Sequence, residues 1–349
     1  MKLASLNRGG RDGTLAVVSR DLTRCQTVPE IARTLQAALD DWPRCAPRLT
    51  EVACHLEAAH ARHAEPFDPA TCLAPLPRAY QWLDGSAYLN HVRLARQARG
   101  AALPPDLEAI PLMYQGGSDD LAGPCRPLRA DPAWGLDFEA ELAVITGDVP
   151  AGMDADGGLD AVRLLMLAND VSLRHLVPAE LARGFGFVQS KPSTSFSPVA
   201  ITPDELGDAW QGGRVHREMR VDLNGKPFAR VPAGDGMHCP FGALIAHAAR
   251  TRRLGAGTIV GSGTVSLAQN GLEASRVERG GQGCCCLLER RLLEQIELGH
   301  AKTPYLAEGD RVRIEMLDGL GLSLFGAIDQ GVVNGNGRGN PRPSAKPKT

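Results

Sequence analysis

Residues 136–144 read LDFEAELAV, which puts Asp137, Glu139 and Glu141 at alternate positions among apolar residues. On a strand, alternate side chains point to opposite faces, so the three carboxylates share one face and Phe138, Ala140 and Leu142 the other. A row of acids supplies hard oxygen ligands, suited to Mg²⁺, Ca²⁺ or Mn²⁺ rather than to zinc. If that face meets a cavity, the acids must pair or hold a cation, because an isolated buried charge is prohibitive. If it meets solvent, nothing needs explaining, and the stretch alone leaves both readings open.

Four other stretches carry chemistry-bearing residues. In LDGSAYLNHVRLARQARG, residues 83–100, Asp84 stands ahead of a helical pattern as a cap. His91 follows at close to two helical turns, which would aim a carboxylate and an imidazole into one space; a capping Asp beside an unrelated surface His is the alternative. In LLMLANDVSLRHLVPAE, residues 164–180, an apolar run delivers Asp170 to the edge of the core, with Arg174 four residues later. Asp170 could equally be an ordinary turn residue. In GFVQSKPSTSFSP, Lys191 lies between Ser190 and Pro192, either as a snorkelling surface residue or as a buried cation near an anionic site. In LGAGTIVGSGTVS, residues 254–266, no G-K-[ST] follows the glycines, so they read as a strand edge that lets backbone approach a small ligand beside Thr264.

The elements that must position these residues read as a mixed α+β chain, mostly β. The opening KLASLNRGGRDGTLAVV gives a hairpin, and helical spacing follows at Ile31–Leu39 and Leu49–Leu56, the first run stopping before Pro43. Later helices are expected at Gly85–Arg99, Leu159–Asn169 and Gly242–Arg252. Strands are expected at Glu139–Thr146, Arg220–Leu223, Thr258–Ser266, Cys284–Leu288 and Val312–Met316. A change of texture places a boundary near residue 75, giving a small α+β domain at 1–75, a catalytic domain at 76–333 and a disordered Gly/Pro/Lys-rich tail at 334–349.

The 349 residues carry a formal net charge of -2 with charges interspersed, which offers no field for nucleic acid or for an anionic membrane. No apolar run reaches the length of a membrane span and the start lacks a secretory pattern, so a cytoplasmic protein is expected. The nine cysteines include no C-x-x-C pair, so they read as thiols, and the run Cys284–Cys286 as packing rather than as metal ligands.

The order of these motifs, from the Asp84 to His91 spacing through PLMYQGG, DFEAELA, ANDVSLR, SKPSTSFSP, VDLNGKPF and GSGTVS to EGDRVRIEM, resembles the fumarylacetoacetate hydrolase family over residues 76–333. The resemblance implies a mixed β-roll or sandwich catalytic domain. It implies Asp84, Glu139, Glu141 and Asp170 as ligands of Mg²⁺ or Ca²⁺, with Mn²⁺ also possible, and His91 as the base that activates water. Lys191 and Arg174 would stand by developing negative charge, Tyr114 and Thr264 would contact substrate, and Glu289 would support the histidine. Two positions depart from the family pattern: Val177 stands where a glutamine helps form an oxyanion site, and Arg96 or Arg99 must serve for the arginine expected past the histidine helix. The implied activity is carbon–carbon hydrolysis of a β-diketo acid, foremost fumarylacetoacetate to fumarate and acetoacetate, by a homodimer. Acylpyruvate or fumarylpyruvate hydrolysis, oxaloacetate decarboxylation and 2-oxo-alkenoate hydration are the alternatives within the family, and a catalytically silent metal-binding fold is the alternative outside it.

Overall fold

The computed structural model describes residues 1–335 except 59, 62, 99, 101 and 104; Arg99 and the tail from residue 336 lie outside the described residues. The chain opens with β1 (Lys2–Leu6), β2 (Thr14–Val18), β3 (Arg24–Thr27), α1 (Leu35–Asp40), α2 (Trp42–Glu57) and β4 (Glu65–Pro66). There follow β5 (Trp82–Gly85), α3 (Leu89–Gln97), β6 (Met113–Gly116), β7 (Leu128–Ala130), β8 (Leu136–Asp137), β9 (Ala140–Thr146), α4 (Ala155–Asp160), β10 (Val162–Asn169), β11 (Ser172–Leu173) and α5 (Val177–Arg183). The remainder is β12 (Ser195–Phe196), β13 (Ala200–Ile201), β14 (Trp210–Gln211), β15 (Arg214–Val215), β16 (Glu218–Leu223), β17 (Lys226–Pro232), α6 (Phe241–Ala248), β18 (Ile259–Gly261), α7 (Gly271–Ala274), α8 (Leu287–Leu298), β19 (Arg311–Met316) and β20 (Ile328–Asn334).

Ten strands form one sheet in the order β4-β3-β2-β1-β13-β10-β9-β18-β5-β6, with β12 also pairing to β10; a second sheet runs β17-β16-β19-β20-β7. The expected α+β, mostly β, fold is therefore what the chain adopts. The N-terminal hairpin is not a separate layer, because β1 pairs with β13 and so extends the sheet that holds β9 and β10.

Strand β9 shows why the core has two halves. Leu142 and Val144 pack into the cluster that includes Val221, Ile314 and Ile328 of the second sheet. Ala143 and Ile145 face the other way, into the cluster built on Leu35, Leu49 and Leu56 of α1 and α2. Thr34 caps α1 by accepting from Ala37 N at 3.1 Å, and Pro43, expected to end a helix, instead occupies the first turn of α2, where its missing N–H costs nothing.

Several expected elements differ. Residues 162–169 form strand β10, not a helix; flanked by β9 and β13 and covered on both faces, its side chains are apolar without alternation, which a one-dimensional pattern cannot distinguish from a buried helix. The helix expected at Gly85–Arg99 starts only at Leu89, and Asp84 is a residue of β5 rather than a helix cap. The strand expected at Cys284–Leu288 is the entry to α8, with the Cys286 sulfur accepting from Glu289 N as its cap. Only Ile259–Gly261 of the expected 258–266 strand pairs as one, and β20 runs to Asn334, one residue into the expected tail.

Candidate active site

Register brings the acids together. In β9, Glu141 pairs with Ala168 of β10 and Ala140 with Asn169, so Asp170, just past β10, emerges beside Glu139 and Glu141. Its amide donates to Glu139 O at 3.0 Å. On the other side of β9, β18 pairs antiparallel to β9 and parallel to β5, setting Gly261 between Ala143 and Asp84, while Asp84 faces Tyr114 of β6. A Cβ at Gly261 would collide with the Asp84 carboxylate, and Gly263, at φ +73, brings its N–H to 2.9 Å from Asp84 Oδ1. The GSGTVS glycines thus admit a carboxylate against backbone, where the sequence suggested a ligand.

One oxygen each from Asp84, Glu141 and Asp170 lie within 4.8 Å of one another. All three residues are buried, Glu141 completely, and among the described residues neither Glu141 oxygen has a hydrogen-bond partner. Burial, then the neighbouring acids, push the Asp84 and Glu141 carboxyls well above the ordinary range. Asp170 is better served. Its Oδ2 accepts from Tyr114 OH at 2.7 Å and Lys191 Nζ at 2.6 Å, and its Oδ1 from Thr194 Oγ1 at 2.7 Å.

Glu139 is placed differently from the other expected ligands. Its Oε1 accepts from Arg174 Nη2 at 2.6 Å and its Oε2 from Lys191 Nζ at 2.5 Å. Burial pushes the Glu139 carboxyl up, but the two cations outweigh it and hold it below the ordinary range. Glu139 is therefore the counterion that fixes Lys191 and Arg174, beside the three-acid cluster and not within it. Asp137, the third acid of the row, accepts from Leu287 N at 2.8 Å and Leu288 N at 3.0 Å at the start of α8, and from Arg174 Nε at 2.8 Å. A buried carboxylate at a helix N-terminus is electrostatically favourable.

Opposite the acids, His91 Nδ1 lies 2.9 Å from Glu289 Oε1. His91 projects from α3 and Glu289 from α8, so the pair is made between two packed helices, while Asp84 and His91 line one cavity from a strand and a helix and not, as the D-x₆-H spacing implied, from one helix face. A carboxylate on Nδ1 favours the tautomer that leaves Nε2 free to accept a proton.

A cavity of about 170 Å³ is lined by Asp84, His91, Tyr114, Glu139, Glu141, Arg174, Lys191 and Thr264, and by Ser86, Tyr88, Val177, Phe187 and Gly263. Eight of the ten expected site residues line it, and the other two, Asp170 and Glu289, stand one hydrogen bond behind Tyr114 and His91. Arg96 instead contacts Ala102 O at 3.4 Å and does not line the cavity. The sequence missed Ser86, Tyr88, Phe187 and Thr194. All four lie within the quoted stretches, Ser86 and Tyr88 in 83–100 and Phe187 and Thr194 beside Lys191, but nothing in their type or spacing marked them out. Lys191 and Tyr114 stay protonated: burial alone would lower the lysine, but Asp170 and Glu139 raise it, while burial and Asp170 raise the tyrosine.

Residues 81–333 match the sequence profile of the fumarylacetoacetate (FAA) hydrolase C-terminal family, and residues 1–78 that of fumarylacetoacetase N-terminal domain 2. No curated protein matches the chain significantly. Among solved structures, the chain is similar to a fumarylacetoacetate hydrolase from psychrophilic Exiguobacterium antarcticum (TM-score 0.64, 17% identity, 96% of this chain and 99% of that one). It is similar also to maleylpyruvate hydrolase from Sphingobium sp. SYK-6 in complex with manganese(II) ion and pyruvate (TM-score 0.60, 16% identity, 96% and 100% covered). A third is 2-hydroxyhepta-2,4-diene-1,7-dioate isomerase from Mycobacterium marinum (TM-score 0.57, 16% identity, 97% and 100% covered).

Proposed function

Because the chain belongs to the fumarylacetoacetate hydrolase family, whose members are enzymes, we propose that it hydrolyses a carbon–carbon bond of a 2,4-dioxo acid of the acylpyruvate type in the cavity between Glu141 and His91. Fumarylacetoacetate, the foremost substrate expected from the sequence, is a 3,5-dioxo acid outside the acylpyruvate type and stands as a second candidate beside it. The similar structures include hydrolases of two different dioxo acids and an isomerase, which supports the wider group of alternatives better than that one compound.

The observation that carries the reading is the cluster of Asp84, Glu141 and Asp170 with both Glu141 oxygens unpartnered, facing the His91–Glu289 pair across one cavity. Among the described residues Asp84 and Glu141 have no ion-pair partner, and an all-carboxylate donor set fits Mg²⁺, Mn²⁺ or Ca²⁺. Asp84, Glu141 and Asp170 would hold the cation, with Glu139 adjacent. When bound, such a cation polarises a substrate carbonyl.

The chain's own groups supply the rest. His91, held by Glu289, takes a proton from water as the water oxygen bonds to the distal carbonyl carbon. The bond from that carbon to the neighbouring methylene then breaks, and its electron pair passes into the departing 2-oxo fragment as an enolate. The proton held on His91 returns to the methylene carbon, giving a carboxylic acid and a 2-oxo acid. Lys191, fixed between Glu139 and Asp170, and Tyr114 place cationic and neutral donors beside the charge that develops. Val177, apolar where the family has a glutamine, leaves that duty to these two donors.

The test is a spectrophotometric panel of acylpyruvates, maleylpyruvate, fumarylpyruvate, fumarylacetoacetate and oxaloacetate with Mg²⁺ or Mn²⁺. The expected result is loss of the enol chromophore of at least one 2,4-dioxo acid. His91→Ala should lower that rate by about 10²- to 10⁴-fold while leaving calorimetric cation binding unchanged. Turnover of oxaloacetate alone, or a His91→Ala enzyme as fast as wild type, refutes the hydrolytic reading.

A further inference from the structure

Lys191 lies at the end of a loop with little packing of its own. After α5 the chain turns at Gly184, in the left-handed region, and runs through Phe185, which is 99% exposed, and Val188, which is 81% exposed. Residues 181–186 are all exposed, so apolar burial does not hold this excursion in place. Yet the same loop delivers two groups to the cavity. Phe187 sits edge-on to Tyr114 with ring centroids 5.3 Å apart, and Lys191 bridges Glu139 and Asp170.

What fixes the loop is one carboxylate. Glu180 Oε1 accepts from Val188 N at 3.1 Å and Gln189 N at 2.7 Å, and Glu180 Oε2 from Ser190 N at 3.1 Å and Ser190 Oγ at 2.5 Å. Three consecutive backbone N–H groups and a hydroxyl thus converge on a buried side chain one turn before the loop begins. Such a concavity of amides is an anion cradle, here filled from within the chain. Ser190 O in turn accepts from Leu173 N at 2.8 Å, which passes the restraint to β11, next to Arg174.

We propose that Glu180 is a positioning residue: its carboxylate sets the 184–190 loop so that Lys191 reaches Glu139 and Asp170 and Phe187 closes the cavity against Tyr114. It touches no reacting atom. Charge-assisted bonds to an ionised acceptor are stronger than neutral ones, so the neutral amide of Glu180→Gln, which also turns a donor toward the cradle, loosens the loop without creating a void. The proposal rests on the functional reading above for its kinetic consequence, and the structural consequence is measured separately.

The experiment compares wild type, Glu180→Gln and Glu180→Asp in three measurements: steady-state kinetics on the fastest acid of the panel, Mn²⁺ binding by calorimetry, and cleavage by chymotrypsin after Phe185. Glu180→Gln should lose about 100-fold in kcat, the cost of displacing a reacting group by about 1 Å. Mn²⁺ should still bind it, because Asp84, Glu141 and Asp170 are not on the loop. Chymotrypsin should cut it faster than wild type, and Glu180→Asp should recover part of both effects. A Glu180→Gln enzyme with wild-type kcat, or one that loses kcat without faster cleavage, overturns the proposal. If wild type turns over none of the panel, the functional reading fails by itself, and cleavage unchanged by Glu180→Gln would still overturn the clamp.

Discussion

Replacing Glu141 by methionine should stabilise the cation-free protein while abolishing its response to cations. Glu141 is wholly buried, both its oxygens lack partners among the described residues, and Asp84 and Asp170 stand next to it. An unsatisfied buried polar group costs about 1–3 kcal/mol, and methionine, of similar length, removes that cost. An unfolding entropy of about 2.1 cal/mol/K per residue, summed over the 349 residues, is about 0.73 kcal/mol/K, so 1–3 kcal/mol becomes roughly 1–4 °C in Tm. For wild type, Mn²⁺ at 100 times its Kd adds about 2.7 kcal/mol, or about 4 °C. The assay is thermal unfolding of both proteins in chelator and in excess Mn²⁺. In chelator Glu141→Met should melt about 1–4 °C above wild type; in Mn²⁺ only wild type should shift upward. A variant that still gains stability from Mn²⁺ would show that Glu141 is not a ligand, and one that melts below wild type in chelator that it is not an uncompensated buried acid.

Asp137→Asn should act in the opposite direction. It breaks a buried ion pair with Arg174 and weakens the cap of α8, at about 3–5 kcal/mol, so Tm in chelator should fall by about 4–7 °C. A fall under about 1 °C would mean that Arg174 finds full compensation in Glu139. Glu180 gives a pH dependence. Hydrogen bonds from Ser190 and the 188–190 amides outweigh burial and hold its carboxyl at about 2. A depressed acid stabilises the fold above its unfolded value and loses that contribution as pH falls through the folded one. The stability advantage of wild type over Glu180→Gln in urea unfolding should therefore be constant at neutral pH and shrink from the ordinary glutamate range down to about pH 2. An advantage that grows on acidification would refute the clamp.

The sequence made the site's membership legible far better than its geometry. Glu141, Asp170, Lys191 and His91 could be named because acids and a lysine set among apolar residues are costly unless they meet something, and the order of the motifs said what. The placing of Asp84 was not legible. GSA after an aspartate has the composition of a helix start, and the pairing of Trp82–Gly85 with β18 depends on residues far along the chain. Strand β10 was misread as a helix for a related reason, since covering both faces erases alternation. The row of three acids was recognised, yet local parity could not show that each has a different duty. Arg174 takes Asp137 and Glu139, and Glu141 is left alone. The Glu180 cradle gave no signal at all, because backbone amides are present at every position and only the turn of the loop makes three of them converge.

The sheet order also governs when the site comes into existence during folding. Asp84 and Glu141 lie on β5 and β9, and the strand between them is β18, contributed by residues 259–261. Until that distant segment has inserted, the two carboxylates have no fixed separation. Contacts between such remote segments form slowly, since loop closure must precede their reward. A cation arriving during refolding therefore meets no preformed cluster, and its binding energy belongs to the native side of the barrier. Added Mn²⁺ should slow unfolding and leave the refolding rate nearly unchanged, making this cluster a lock that engages after the chain has found its fold.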